Sequence, residues 1–543
     1  GNGLTDLTGS IFQGKTNLTE VILGENITTI GSFCFNGCTG LEKIVLPKKL
    51  RNIEGGVFYE CDNLRTIEMP DSLRILKDQV FQGCENLRSI TLPDSLESIG
   101  NQVFRDCKAL KSITIPSKVT SLGQYVFYGC SALESFILGD GIEEISTYDP
   151  FYECNNLRYV KLNDKLTYIS NWFSNKSNLE TVVLGNQVTT IGNSAFANCK
   201  SLQTINMPET LTTIGNSAFS GCSKLASIYI PESVNKIENY AFSNSGLRTF
   251  TLPQNITIIP NYVFNNCDSL RTITLTPQLT AIEEDAFNSC DSVKDITINN
   301  ENETIIATAG KFASIQKVTF GDLVTAIPDN LFKDKKYLKE VKFGKELATI
   351  GANAFYNTGL EKFTLPDQVT TIGEAAFKGN KQLTEFTLSK SINEIPTEAF
   401  AGCIKLDSIG FPASIRKVGS KAFDGCDSLR VIELNPELTE IGEYAFYNAG
   451  DKKLESITIP AKVKSIGSYA FASCDTLSNI TLGEAVDSIA TYAFQKCRCL
   501  KAITLPAKLR KLEHDVFNGT EIASLNIPDQ VTDVTGVFNG LNS

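Results

Sequence analysis

Acid–base or nucleophilic chemistry in this chain would have to pass through one histidine, His514, in Lys511-Leu-Glu-His-Asp-Val-Phe517. A Ser/His/Asp or Cys/His system needs an imidazole as its base, and a turn position such as this one reads as solvated. The 16 cysteines offer more: thiolate nucleophiles, disulfides or zinc ligands. Fourteen of them share one slot, three residues after a phenylalanine: Cys38, Cys61, Cys84, Cys107, Cys130, Cys154, Cys199, Cys222, Cys267, Cys290, Cys403, Cys426, Cys474 and Cys497. Only Cys34 and Cys499 fall elsewhere. The C-x₂-C pairs and clustered histidines of a zinc site are missing. The slot also accepts Lys176, Ser245, Thr358 and Asn380, so it requires no fixed disulfide partner. Neighbouring cysteines would lie about 5 Å apart with parallel side chains, within bridging distance but badly aimed. Buried free thiols acting as small apolar fillers are the expectation. Carboxylates scatter through turns and converge nowhere. The reading is a non-enzymatic protein without cofactor or metal.

The elements that position these residues come from one repeated sentence. Segments such as Leu41-Glu-Lys-Ile-Val-Leu-Pro47, Leu87-Arg-Ser-Ile-Thr-Leu-Pro93 and Leu500-Lys-Ala-Ile-Thr-Leu-Pro506 recur about every 23 residues. A fixed period of this length marks a solenoid, in which each coil buries its apolar face only against its neighbours. Twenty-three coils start at Leu18, Leu41 and onward to Ile522, with residues 1–17 a partial coil and 522–543 a truncated one. The whole, 1–543, reads as a single domain, 18–521 supplying 22 full coils. Within Leu-x-x-Ile-x-Leu the period-two alternation predicts a short strand, with Ile and Leu inward. Proline (Pro47, Pro70, Pro93) or glycine (Gly24, Gly139, Gly185) ends it. A second apolar pair, as in Val188-x-x-Ile191, predicts another extended segment. The remaining third, as in Gly192-Asn-Ser-Ala-Phe-Ala-Asn-Cys199, is too short for an independent helix and predicts one helical or 3₁₀ turn. Its phenylalanine recurs in 22 of the 23 coils, which predicts a continuous buried aromatic spine.

Composition narrows the partners. A formal net charge of −11 argues against nucleic acid, and no apolar run reaches the roughly 18–20 residues of a transmembrane helix. The chain begins Gly1-Asn2-Gly3 without a basic start and apolar run. An export signal, if used, is expected to have been removed or to lie upstream.

The pattern L-x-x-I-x-L-P-x-x-L-x-x-I-G-x-x-A-F-x-x-C, as in Leu202–Cys222 and Leu454–Cys474, closely resembles the BspA-type leucine-rich repeat of bacterial surface proteins. The resemblance spans nearly the whole chain. It implies an α/β leucine-rich-repeat fold: a right-handed solenoid with a parallel β-sheet on the concave face and short strands and helical or 3₁₀ turns elsewhere. It further implies an exported or cell-surface protein that binds host or matrix protein through the solenoid surface. A carbohydrate-binding surface protein is the alternative.

Two groups of exposed positions are candidate contacts. The residue after the leading leucine is often basic: Arg65, Arg88, Lys111, Arg158, Arg248 and Arg271, then Lys294, Lys339, Arg430 and Lys501. Such a column would recognise anionic glycan or acidic peptide, or else simply break edge pairing and neutralise nearby carboxylates. The second group lies where the period breaks, between Ile145 and Phe173. There the only tryptophan, Trp172, lies near Tyr148, Tyr152, Tyr159 and Tyr168 in sequence. These aromatics read either as exposed contact anchors or as a patch over a packing defect. A further break, Asn299 to Gly310, is expected to form an exposed polar loop with a local bulge.

Overall fold

The computed structural model describes residues 3–145, 149–450 and 453–540. These divide into two compact units, residues 1–271 with 278–290, and residues 272–277 with 291–543. Each unit is a stack of coils joined by parallel strands.

The Leu-x-x-Ile-x-Leu segments form the first ladder, in a register that repeats coil by coil. Ser112–Ile115 pairs with Ser135–Leu138, so that Ile113 lies beside Phe136 and Thr114 beside Ile137. The burial pattern of Ser112–Ile115 alternates exposed and buried, as the period-two reading requires. The second apolar pair forms a ladder of its own. In the first unit Asp6–Leu7, Thr29–Ile30, Asn52–Ile53, Ile75–Leu76, Ser98–Ile99 and Ser121–Leu122 make one six-stranded sheet. A four-stranded sheet resumes at Tyr168–Ile169 and ends at Lys236–Ile237. In the second unit Glu394–Ile395 begins a six-stranded sheet ending at Lys511–Leu512.

The third part of most coils departs from the expected helical turn. In Asn193–Asn198 the N–H groups alternate in direction. Ser194, Phe196 and Asn198 donate to the next coil, at Asn216, Ala218 and Ser220. Ala195, Ala197 and Cys199 donate back to Gly192, Ser194 and Phe196. A helix would send every donor four residues back along its own chain. Here half of them stitch one coil to the next, which requires left-handed residues at two positions. Ser194 has φ 55° and Asn198 φ 59°. The position before the cysteine slot is accordingly rich in Gly, Asn and Asp, as at Gly221, Asn357 and Asp334. The fold is therefore a parallel-strand solenoid of leucine-rich-repeat type with almost no helix, and the α part of the expected α/β class is not found.

The regular helical turns are three: Asn171–Phe173, Glu303–Ile306 and Ala307–Lys311, among the described residues. The last two correct the expected exposed loop at 299–310. Asn302 caps the helix by accepting from the Thr304 N–H, and Ile305, Ile306 and Ala309 are buried. This segment fills the place of the missing Ala-Phe motif with aliphatic side chains.

The core is the expected aromatic spine. In the first unit Phe12 through Phe287 stack at ring spacings of 5.1–5.9 Å. In the second, Phe332 through Phe517 stack at 5.2–6.0 Å. Beside the spine runs the cysteine slot. Every one of its 14 thiols donates to the carbonyl of the phenylalanine one coil earlier, at 3.0–3.3 Å. All are free and buried. Where Asn380 takes the slot, its amide donates to the same kind of acceptor twice, at Phe355 and Phe377.

Candidate functional site

The basic column lies just before the first ladder, and backbone bonds fix its spacing. The Arg88 N–H donates to the Arg65 carbonyl, Lys111 to Arg88 and Glu134 to Lys111. Consecutive members therefore stand one strand spacing apart, about 4.8 Å. Their surroundings differ. Arg158 is paired with Glu180 at 2.9 Å, and in the second unit Lys339 pairs with Glu361 and Arg430 with Asp407. Arg271 donates to the Asp268 carbonyl. Arg65, Arg88 and Lys111 are exposed and form no ion pair among the described residues, and Arg248 likewise. Three adjacent cations without partners repel one another. They leave a short positive strip on an acidic protein.

The aromatic cluster at the period break does not assemble. Tyr159 lies in the first ladder and Tyr168 in the second, 51% exposed. Tyr148 lies outside the described residues. Trp172, read either as an exposed anchor or as part of a patch over a packing defect, is 2% exposed and packs edge-on against Phe173 of the spine. It occupies the slot that alanine fills at Ala195 and Ala218. That slot points inward, so the indole belongs to the core. Its Nε1–H has no hydrogen-bond partner among the described residues.

The aromatics that do assemble are on the turn face, in columns set by position within the coil. The residue after the spine phenylalanine gives Arg105, Tyr128 and Tyr152. The guanidinium sits 4.6 Å from the Tyr128 ring, which stacks on Tyr152 at 4.9 Å. The left-handed residue two before the phenylalanine gives Tyr240 on Tyr262 at 4.9 Å, and Tyr444, Tyr469 and Tyr492 at 4.6–4.7 Å. Lys421 lies 5.8 Å from one end of the latter stack, and His514 meets the other edge-on. These tyrosines are 22–25 residues apart in sequence. Reading every coil in register, not searching for local clusters, is the signal that finds them.

The family model described as the BspA type leucine rich repeat region (6 copies) matches residues 5–134, 75–203, 189–313, 309–430 and 416–540. The chain belongs to this family. Among solved structures it is similar to a leucine-rich repeat protein from Bacteroides ovatus. The two are 24% identical, over 79% of this chain and 82% of that one, with a TM-score of 0.27. A leucine rich cell surface protein from Faecalibacterium prausnitzii is 23% identical over 77% and 87%, with a TM-score of 0.23. The pneumococcal vaccine antigen PcpA is 22% identical over 56% and 80%, with a TM-score of 0.33. No curated protein matches the chain.

In this BspA-type chain the thiols are quiet. Burial raises Cys154, Cys199 and Cys403 from an ordinary 9.0 to about 12, so they carry no thiolate near neutral pH. Cys499 alone is exposed. No group of three or more His, Cys, Asp or Glu residues is arranged to hold a metal, among the described residues. No helix among them is long and apolar enough to cross a membrane.

His514 lines a groove of about 780 Å³ together with Thr491, Arg510, Glu513 and Asp515. Its Nδ1 lies 3.0 Å from Asp515 and its Nε2 3.5 Å from the Thr491 hydroxyl. This has the outline of a base with an orienting acid. The hydroxyl, however, has one proton and gives it to Glu513 at 2.8 Å. Glu513 is held as a carboxylate, lowered to about 2, by its pairing with Lys511 and by the Thr491 donors. The carboxylate thus competes with the imidazole for the proton an activated hydroxyl would surrender.

Proposed function

We propose that this BspA-type protein is a non-enzymatic scaffold displayed at the cell surface, holding a protein partner through the strand side of its coils. The observation that carries the reading is the run of Arg65, Arg88 and Lys111, each exposed and none ion-paired among the described residues. Rigid backbone bonds hold the three at one strand spacing. Such a strip is complementary to an acidic extended segment, whose carboxylates would supply the missing counter-charges and steer encounter. The description of the similar Faecalibacterium prausnitzii protein as a cell surface protein accords with the compartment.

The test immobilises the full chain against a panel of extracellular matrix proteins and compares it with the Arg65→Ala/Arg88→Ala/Lys111→Ala variant. The expected result is a partner whose affinity falls about tenfold in the variant and falls with added salt. Equal binding by both proteins at every salt concentration removes the strip from the function.

A further inference from the structure

The turn face carries a second surface of opposite character. Five consecutive coils present the segments Ser170–Asn175, Asn193–Asn198, Asn216–Gly221, Asn239–Asn244 and Asn261–Asn266, which contain no Asp, Glu, Lys or Arg. In a chain that is 20% charged this is a long neutral stretch. The turns on either side are charged, with Asp149 and Glu153 before it and Asp285 after it.

Tyrosine stacks end at both borders. Tyr128, itself beneath the Arg105 guanidinium, covers one face of Tyr152, but the same position one coil later is Ser174, and Tyr152 is 50% exposed. Tyr262 covers one face of Tyr240, whose neighbour one coil earlier is Ser217, and Tyr240 is 38% exposed. Each stack therefore stops with one ring face open toward the neutral coils. The two tyrosine columns are close neighbours, as the 6.1 Å between Tyr125 and Tyr128 shows. The spine phenylalanines of these coils, Phe151 to Phe242, are separated by four steps of 5.4–5.6 Å. The interval between the open rings is accordingly on the order of 20 Å.

Between the rings lies a floor of amides and hydroxyls. Asn198 donates to Asn175 at 2.9 Å, and Asn175 to Ser174 at 3.1 Å. Each of these bonds uses one of an amide's two N–H donors and leaves the other for a ligand. Glu238, at the edge, is committed to Lys236 and the Asn216 N–H.

We propose that this neutral turn surface binds a short neutral oligosaccharide. Sugar rings offer apolar C–H faces to stack on tyrosine and a rim of hydroxyls that pair with amides and serines. Tyrosine supplies apolar area with a polar tip at small entropy cost. These turns carry no Lys or Arg, and the Glu238 and Glu283 carboxylates accept from the Asn216 and Asn261 N–H groups, so sulfated or sialylated chains would lose their hydration without gaining a counter-charge. A protein partner would need apolar anchors buried from the floor itself, and the floor is polar.

The experiment presents the full chain to an array of neutral gluco-, galacto- and manno-oligosaccharides beside sulfated and sialylated ones, with titration calorimetry on the hits. The expected result is binding of a neutral class, weakened about tenfold by Tyr152→Ala and by Tyr240→Ala and unchanged in Tyr469→Ala. Asn198→Lys is the second variant. The equivalent left-handed position in another coil holds Lys496 with φ 58°, so the fold tolerates it, and a cation on the floor should also weaken binding. Melting curves verify that each variant is folded. Three results overturn the proposal: no neutral glycan bound, affinity indifferent to Tyr152→Ala, Tyr240→Ala and Asn198→Lys alike, or binding only of anionic glycans that disappears with Arg65, Arg88 and Lys111. A matrix protein captured through the cationic strip leaves this outcome independent, because the two surfaces share no residue.

Discussion

Two kinds of aromatic column climb these coils, one of phenylalanine inside and one of tyrosine outside, and their geometry is nearly the same. Phe196 and Phe219 stack at 5.5 Å, and Tyr444 and Tyr469 at 4.6 Å. Both spacings follow from the strand rise, so neither column had to be tuned ring by ring. What separates them is water. Inner rings such as Phe219 are fully buried, and their faces and edges are all spent on packing. Outer rings keep an edge in solvent, and where a stack stops they keep a face as well. The inner column therefore holds the fold together, while the outer one is free to vary in length and in what caps it. Lys421 and His514 cap the stack of the second unit, whereas the stacks ending at Tyr152 and Tyr240 face serine.

The largest effect expected on the inner side is alkaline unfolding through the thiols that line the spine. At Cys154, Cys199 and Cys403 burial raises the folded pKa, so their contribution is full below the ordinary 9.0 and is lost as pH rises toward about 12. Each thiol weakens the fold by up to about 1.4 kcal/mol per pH unit in that window. Urea midpoints measured from pH 8 to pH 11 should drop steeply. The drop should be shallower when Cys199, Cys222, Cys403 and Cys426 are replaced by alanine, and an unchanged slope excludes the thiols as its cause.

Next comes Phe219→Ala, expected to cost ~3–5 kcal/mol by chemical denaturation. A loss under about 1 kcal/mol would mean that the inner column does not carry the fold. Asp149→Ala should cost about 3 kcal/mol. It strands the Lys176 ammonium, 5% exposed and paired with Asp149 at 3.3 Å, in the slot beside the spine. Restoring the usual residue with Lys176→Cys in the same protein should recover most of the loss. If the double variant is no better than the single one, the cost lies elsewhere than in the orphaned charge. The smallest effect is on the outer column, where Tyr469→Ala should cost about 0.5–1.5 kcal/mol. A loss as large as that of Phe219→Ala would erase the distinction between the two columns.

The residues that made the fold legible in sequence are those that face inward. Leu, Ile, Phe and Cys recur because each must match the coil above and the coil below, so the spine, the first ladder and the buried thiols all follow from the repeat. The turns were less legible. Whether Asn193–Asn198 closes a helical turn or sends alternate donors to the next coil depends on hydrogen bonds between residues 22 apart, which local propensity does not encode. Trp172 misled for a similar reason: its place in an inward slot outweighs its company of tyrosines in sequence. The helix at Glu303–Ile306 lay in a run read as polar, although Asn302 at its start is a good cap and Ile305-Ile306 is an apolar pair. The candidate surface was half visible. The cationic column appears in the sequence, but which of its members form an ion pair becomes apparent only when the coils are stacked.

The stitching of the turns has a consequence for how such a chain can change. Within a stretch such as Leu179 to Leu225, each turn donor that reaches the adjoining coil, such as Ser194, Phe196 or Asn198, finds its acceptor at the same offset there. Cutting out one complete coil, or copying one in, rejoins identical acceptors to identical donors. The chain can thus be lengthened or shortened in whole paragraphs without rewriting a word, and the distance between two recognition surfaces becomes a quantity that recombination, rather than point substitution, can adjust.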